Sequence, residues 1–342
     1  MVLLFPLDLL KEEVSTMGLD FHQWMNPVPR TATFSMPGYH VWCGTMSKTE
    51  DGVCHLLFSR WPEETGHNGW VTHSEIAYAT ADHPLGPYSF QGVILRGRGG
   101  DYWDANVIHN PTMIRVKDNY YLYYMGNKGN GEYWDHRNRQ RIGVAVAEHP
   151  SGPWTRFNDP VINVSPESWD HLMVSNPTVT STPDGKFIMI YKGVGKGSLP
   201  KGGAVVCGVA VADTPLGPFR KLAGPIMVNP EDDWSVEDPF IWRQGTTYYA
   251  LVKDFQGYFT KQGISSVALF ESKDGIHWVP SEHSFAFKPE IVWEDGEVQQ
   301  VNALERPQLW MENDRPAVLF CAVAVDDARN VSFNVHIPLR LV

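Results

Sequence analysis

The chain has 342 residues, 43% of them hydrophobic and 20% charged, with a net charge of -11. That is enough apolar material for a large core, and the lack of any Lys/Arg-rich run or basic aromatic stripe argues against a nucleic-acid partner. Four cysteines (Cys43, Cys54, Cys207 and Cys321) form no CxxC pair, so the sequence offers neither a zinc ribbon nor a disulfide framework. Cys54, Cys207 and Cys321 lie in apolar strand-like runs and read as small buried hydrophobes.

The opening stretch, MVLLFPLDLLKEEV, has no basic n-region, a proline inside a short apolar run and no small-residue cleavage site. It reads as neither a signal peptide nor a membrane span, which leaves the compartment open between the cytoplasm and a processed secreted form. From about Ser35 to Leu95, YHVWCGTMSKTEDGVCHLLFSRW supplies a hairpin, SEIAYATA a third strand, and ADHPLGPYSF a turn into a fourth. The next unit repeats the order: HNPTMIRV, a KDN turn, YYLYYMG, RIGVAVA and AEHPSGPWTRF. SNPTVTST, FIMIYKG, VCGVAVA and ADTPLGPFRKL form another, and EDPFIWRQ, YYALVKD, SSVALFE and ESKDGIHWVPS the one after it. The last unit, ERPQLWME and AVLFCAV, ends early at FNVHIPLRLV.

Pro87, Pro153 and Pro218 in the turn phrase, and Pro111, Pro177, Pro239 and Pro307 at the strand openings, recur at roughly 65 residues. Four strands per repeat with almost no helical periodicity is the pattern of a β-propeller blade. The expected fold is therefore all-β: one domain over residues 1–342, a five-bladed propeller of four-stranded antiparallel blades around a central pocket. Residues 1–34 form an N-terminal extension, in which VLLFPLDLL is a candidate for the strand that closes the ring.

Equivalent positions in different blades face the same axis, so the openings of the innermost strands gather His109-Asn110, Ser175-Asn176, Glu237-Asp238 and Glu305-Arg306 on one rim. The preceding loops add Asp104 and Asp170, each the same distance ahead of its asparagine, and the ends of the second strands add Lys192, Lys253 and Asp254. Trp24, Trp103 and Trp169 near the rim are candidates to stack on a sugar face. The polar insertion EYWDHRNRQR reads as a solvated loop or, alternatively, as an overhang placing Trp134, Asp135 and His136 over the pocket. GNKGNG and GVGKG lack the strand–loop–helix setting of a phosphate loop.

Several carboxylates, a histidine and cations in one pocket suit the cleavage of a glycosidic bond. That reaction needs one carboxylic acid to protonate the leaving oxygen and one carboxylate to attack or to activate water. Crowded acids separate their pKa values, so one stays protonated beside an ionised neighbour.

The phrases IHNPTMIRVKDNYYLYYMGN, IGVAVAEHPSGPW and SVALFESKDGIHW resemble the blade phrases of five-bladed glycoside hydrolases, the closest being families 43 and 117, over nearly the whole chain. Family 43 uses an aspartate base, an aspartate that tunes pKa and a glutamate acid in an E-G-P phrase. Here Asn110 and Asn176 stand at the first two recognisable aspartate positions, Asp238 keeps the aspartate in EDP, and Glu305 holds the acid's place in ERP with Arg306 for glycine. Glu237 has that same place in its own blade. The family 117 acid is thought to be a histidine, which adds His109.

The resemblance implies an exo-acting, inverting glycoside hydrolase on a carbohydrate partner, with neither nucleic acid nor membrane. Asp238 is the candidate base or modulator and Glu305 or Glu237 the acid, with Asp104 and His109 in support. Asp170, Lys192, Lys253, Asp254, Arg306, Trp103 and Trp169 are the candidate substrate contacts. No redox cofactor is implied; oxygen ligands would allow an axial metal ion, though no spacing demands one. The alternatives are a glycoside phosphorylase on the same fold and a carbohydrate-binding propeller without catalysis.

Overall fold

A computed structural model describes residues 18–340. Five four-stranded antiparallel sheets stand around one axis as a five-bladed β-propeller. Their innermost strands are Tyr39–Lys48, Val107–Val116, Met173–Ser181, Val236–Gln244 and Ala303–Glu312, numbered here as blades 1 to 5. Blades 1 to 4 each run outward through consecutive strands. Blade 5 has only three strands of its own, and its outer edge is taken by Thr33–Phe34, which pairs with Ser332–Pro338. The ring is thus closed by an N-terminal strand, but one that follows VLLFPLDLL; that stretch lies outside the described residues.

The strands read as near-continuous apolar runs because each blade is covered on both faces. Leu57, Ile76 and Leu95 of blade 1 pack on Ile108, Leu122 and Tyr124 of blade 2. The opposite face of blade 1 sets Leu56 and Phe58 against Val318 and Phe320 of blade 5. Comparable layers join blade 2 to 3, 3 to 4 and 4 to 5. Fully burying a side chain such as Leu56 or Phe320 is worth about 1.5–3 kcal/mol, so each interblade layer is a substantial source of stability. All four cysteines are buried and unpaired as thiols.

The Gly-Pro-aromatic phrase has the same geometry in three blades: cis peptides at Gly86-Pro87, Gly152-Pro153 and Gly217-Pro218, each glycine at positive φ. The aromatic residue folds back on the turn, as Tyr88 Oη donates to Pro84 O at 2.9 Å and Trp154 Nε1 to Pro150 O at 3.1 Å. Among the described residues no helix is long and apolar enough to cross a membrane.

Candidate active site

Each innermost strand is interrupted at the same point. Pairing with the second strand slips after Trp42, His109, Ser175, Glu237 and Glu305. The next residues, Cys43, Asn110, Asn176, Asp238 and Arg306, all take φ between 49° and 57°. A bulge with a left-handed residue re-aims a side chain out of the strand plane. Asparagine and aspartate tolerate this backbone best, whereas at Cys43 and Arg306 it costs about 1–3 kcal/mol that the surroundings must offset.

The five re-aimed side chains form a closed ring on the axis. Cys43 Sγ donates to Asn110 Oδ1 at 2.8 Å, Asn110 Nδ2 to Asn176 Oδ1 at 2.6 Å, and Asn176 Nδ2 to Asp238 Oδ1. Arg306 Nη1 meets the same Asp238 oxygen at 3.3 Å, and its guanidinium lies near enough to Cys43 to act on the thiol, so the fifth side chain fills the gap between Asp238 and Cys43. The ring is the floor of a pocket of about 560 Å³ that Asp238 and Arg306 both line. Both ring bonds of Asp238 fall on Oδ1, and its Oδ2 has no hydrogen-bond partner among the described residues.

Above the floor, the residues just before the bulges carry the charges. Lys192 faces Ser175 across blade 3, and Lys253 faces Glu237 across blade 4. Lys192 Nζ lies 3.0 Å from Glu237 Oε2; Lys253 Nζ lies 3.1 Å from Glu237 Oε1 and 2.8 Å from Glu305 Oε1. Arg329, from the loop after the second strand of blade 5, reaches Glu305 Oε1 at 3.1 Å. One oxygen each of Glu237, Asp238 and Glu305 lies within 4.8 Å of the others. The Lys253 ammonium bridges two of these carboxylates and Arg306 meets the third, so side chains already supply the positive charge that an axial cation would bring.

These pairings divide the three acids. Burial pushes the Asp238 carboxyl up to about 6, reinforced by the neighbouring Glu237 charge and only partly offset by Arg306. Burial also acts to raise Glu237, but Lys192 and Lys253 outweigh it and hold this carboxyl well below its usual range. In Glu305 burial is likewise overcome, by Lys253 and Arg329. Burial lowers Lys253, yet Glu305, Glu237 and Asp238 together raise it above an ordinary lysine. His109 is fully buried; that burial, with Arg306, His67 and Lys192 around it, keeps its imidazole neutral well below the usual range. Ser74 Oγ sits 2.7 Å from its Nδ1, and Trp70 stacks on its ring at 5.1 Å.

The structure thus brings together Glu237, Asp238, Glu305, His109, Lys192, Lys253 and Arg306. It places the other expected site residues elsewhere. Asp104 is completely buried behind the blade 2 strand, bonded by Arg98 Nε at 2.6 Å and Tyr124 Oη at 3.0 Å. Asp170 is its counterpart in blade 3, held by Tyr191 Oη at 3.1 Å and Lys221. Asp254 accepts the backbone N–H groups of Tyr258, Phe259 and Thr260, so it caps a loop. Trp103 and Trp169 stack on Tyr124 and Tyr191 and lie so close over Gly126, Gly143, Gly193 and Gly208 that a Cβ at any of these would collide with the indole. They are blade wedges, not sugar platforms, and the matching sequence positions reflect this structural device. Trp24 packs at the edge of the core between blades 4 and 5.

The blade 2 insertion does reach the pocket, but through residues other than Trp134, Asp135 and His136. Its helix, Tyr133–Asn138, presents Tyr133 and Arg137, while Asp135 pairs with Arg139 and His136 bonds Asn127. Sequence reasoning also passed over Trp42, Trp61, His67, Trp70, Trp234, Phe255 and Arg329, all of which line the pocket. One signal was available: the stretch RWPEETGHNGWVTH between the second and third strands of blade 1 is long and rich in tryptophan and histidine. The corresponding loops in the other blades open on the same side.

No protein-family model matches the chain, and no curated protein does. Solved structures share the fold. Zg3597, a family 117 glycoside hydrolase from the marine bacterium Zobellia galactanivorans, is 18% identical with a TM-score of 0.67, covering 94% of this chain and 92% of its own. An endo-arabinase from Bacteroides thetaiotaomicron is 12% identical with a TM-score of 0.59, covering 92% of this chain and 98% of its own. CoXyl43, a GH43 β-xylosidase/α-arabinofuranosidase from a compost microbial metagenome crystallised with xylotriose, is 14% identical with a TM-score of 0.58, covering 95% of this chain and 98% of its own. The chain is a five-bladed propeller of the architecture that glycoside hydrolases of families 43 and 117 use.

Proposed function

We propose that this protein is a glycoside hydrolase releasing a terminal sugar from an oligosaccharide or polysaccharide. The observation that carries the reading is the divided set of acids on the pocket floor: Asp238 is raised to about 6 while Glu237 is held down beside it. One carboxyl able to give a proton and one fixed as a carboxylate is the division that glycosidic cleavage requires. In this reading Asp238 protonates the leaving oxygen and Glu237 faces the anomeric carbon, with Lys192 and Lys253 keeping it ionised. The solved structures that share the fold, glycoside hydrolases among them, support the same class. Walls contributed by loops of several blades suit one end of a sugar chain, and the volume falls within the roughly 300–1,000 Å³ of small-molecule sites.

Inversion needs the acid and base about 6.5–9.5 Å apart, whereas retention needs about 5–5.5 Å. The anomer of the product tells the two apart, and inversion is the outcome that the family 43 resemblance implies. The test is reducing-sugar release from a panel of plant and algal oligosaccharides by wild type and Glu237→Gln, with the anomer of the first product followed by NMR. Turnover abolished by the substitution supports the reading, and the anomer of the first product assigns inversion or retention. Glycan binding without turnover assigns a lectin-like propeller instead, and turnover only with inorganic phosphate assigns a phosphorylase.

A further inference from the structure

We propose that Arg137 and Lys192 make this pocket select a sugar carrying its own negative charge, a uronic acid carboxylate or a sulfate ester. The inference rests on carbohydrate being the pocket's ligand. Among the described residues, five cationic side chains line the pocket (Arg137, Lys192, Lys253, Arg306 and Arg329) against three carboxylates, Glu237, Asp238 and Glu305. The protein as a whole carries a net charge of -11, so this excess is local and does not belong to a generally basic surface.

Four of the cations have a carboxylate partner, in Glu237, Glu305 or Asp238. Arg137 has none among the described residues. It is only 6% exposed, and its two polar contacts, Asn138 Oδ1 and Lys201 O, both at 2.9 Å, are neutral and fall on Nη1. Its Nε and Nη2 have no partner among the described residues, and neither atom is sealed from solvent. A buried guanidinium without a counter-charge is destabilising, and its planar fork matches a carboxylate or sulfate. Lys192 is tied through one carboxylate oxygen to Glu237, and Arg137 lines the same pocket. Tyr133, one helical turn before Arg137, brings a hydroxyl to the same wall. An anionic substituent docked on Arg137 would complete the pairing of the pocket and set the sugar's orientation over Glu237.

The test is calorimetric binding of galacturonate, glucuronate and galactose sulfate, each against its neutral parent sugar, with inorganic phosphate alongside. Wild type should bind at least one charged sugar about 10–100-fold more tightly than its parent, as expected for one charge-assisted hydrogen-bond pair. Added salt should narrow the gap. Arg137→Gln should abolish the gap between charged and neutral sugars, and Arg137→Lys should restore part of it. Equal affinity for every charged and neutral pair in wild type overturns the proposal, with no variant needed. So does tight phosphate binding, sensitive to Arg137→Gln, without preference for any charged sugar, because the anion is then free phosphate. The two readings fail separately: charged-sugar preference without turnover sinks the hydrolase alone, and turnover of neutral substrates without preference sinks the anion selection alone.

Discussion

Asp238 Oδ1 lies 3.3 Å from Arg306 Nη1 where blades 4 and 5 meet on the axis. Blades 2 and 3 put asparagine at this position, and an amide both donates to and accepts from its neighbours around the ring. A carboxylate can only accept, so the replacement in blade 4 calls for a donor in blade 5, which Arg306 supplies. The two departures from the repeat compensate each other.

Arg306→Gln should therefore destabilise the fold by about 3–5 kcal/mol, because it leaves Asp238 buried without its counter-charge. Combining it with Asp238→Asn should recover a large part of that loss. A urea-unfolding double-mutant cycle measures the coupling; additive losses would mean that the pair is not energetically linked.

Activity should fall as pH rises through about 6, since Asp238 donates only while protonated. Stability carries the same sign. The Asp238 pKa is raised on folding, so its contribution is fully present below about 4 and is lost as pH climbs through about 6. The stability of Asp238→Asn relative to wild type should improve across that window. Thermal melts of both proteins at pH 4 and pH 7 check it, and a flat difference would remove Asp238 as the titrating group.

Glu237 and Glu305 act in the opposite sense. Their pKa values are depressed by Lys253 and its neighbours, so the stability they contribute is present above about 4.3 and disappears as pH falls below it. Lys253→Met should cost about 3–5 kcal/mol at neutral pH, through two carboxylates losing a shared cation, and much less at pH 3. Denaturation at the two pH values reads the difference.

Asp104→Asn separates framework from chemistry. Asp104 is wholly buried against Arg98 and Tyr124, so the variant should lose about 3–5 kcal/mol of stability but keep near-normal activity per folded molecule. Glu237→Gln should lose turnover and stability together, because it takes a counter-charge from both Lys192 and Lys253. Gly193→Ala adds a Cβ that runs into the Trp169 indole and should cost about 1–3 kcal/mol by overpacking.

The blade count and the converging strand openings were legible in the sequence because the repeat reports backbone geometry. Pro239 after Glu237-Asp238 and Pro307 after Glu305-Arg306 mark the same bend, so their neighbours had to share an axis. Asp104 and Asp170 were harder to read because a repeated acid marks a repeated structural need as readily as a site: each answers a tyrosine of its own blade. Arg137 and His67 were out of reach for another reason. They arrive on insertions that belong to a single blade, and periodicity places only what recurs.

The residues just before the five bulges give the floor a direction. Read around the axis they are Trp42, His109, Ser175, Glu237 and Glu305: an aromatic half from blades 1 and 2, and an ionic half from blades 4 and 5. Trp61 and Trp70 extend the first half, and Lys253 and Arg329 extend the second. Five near-identical backbones have become a two-sided cup. A backbone that is almost rotationally symmetric thus presents chemically different flanks around its axis.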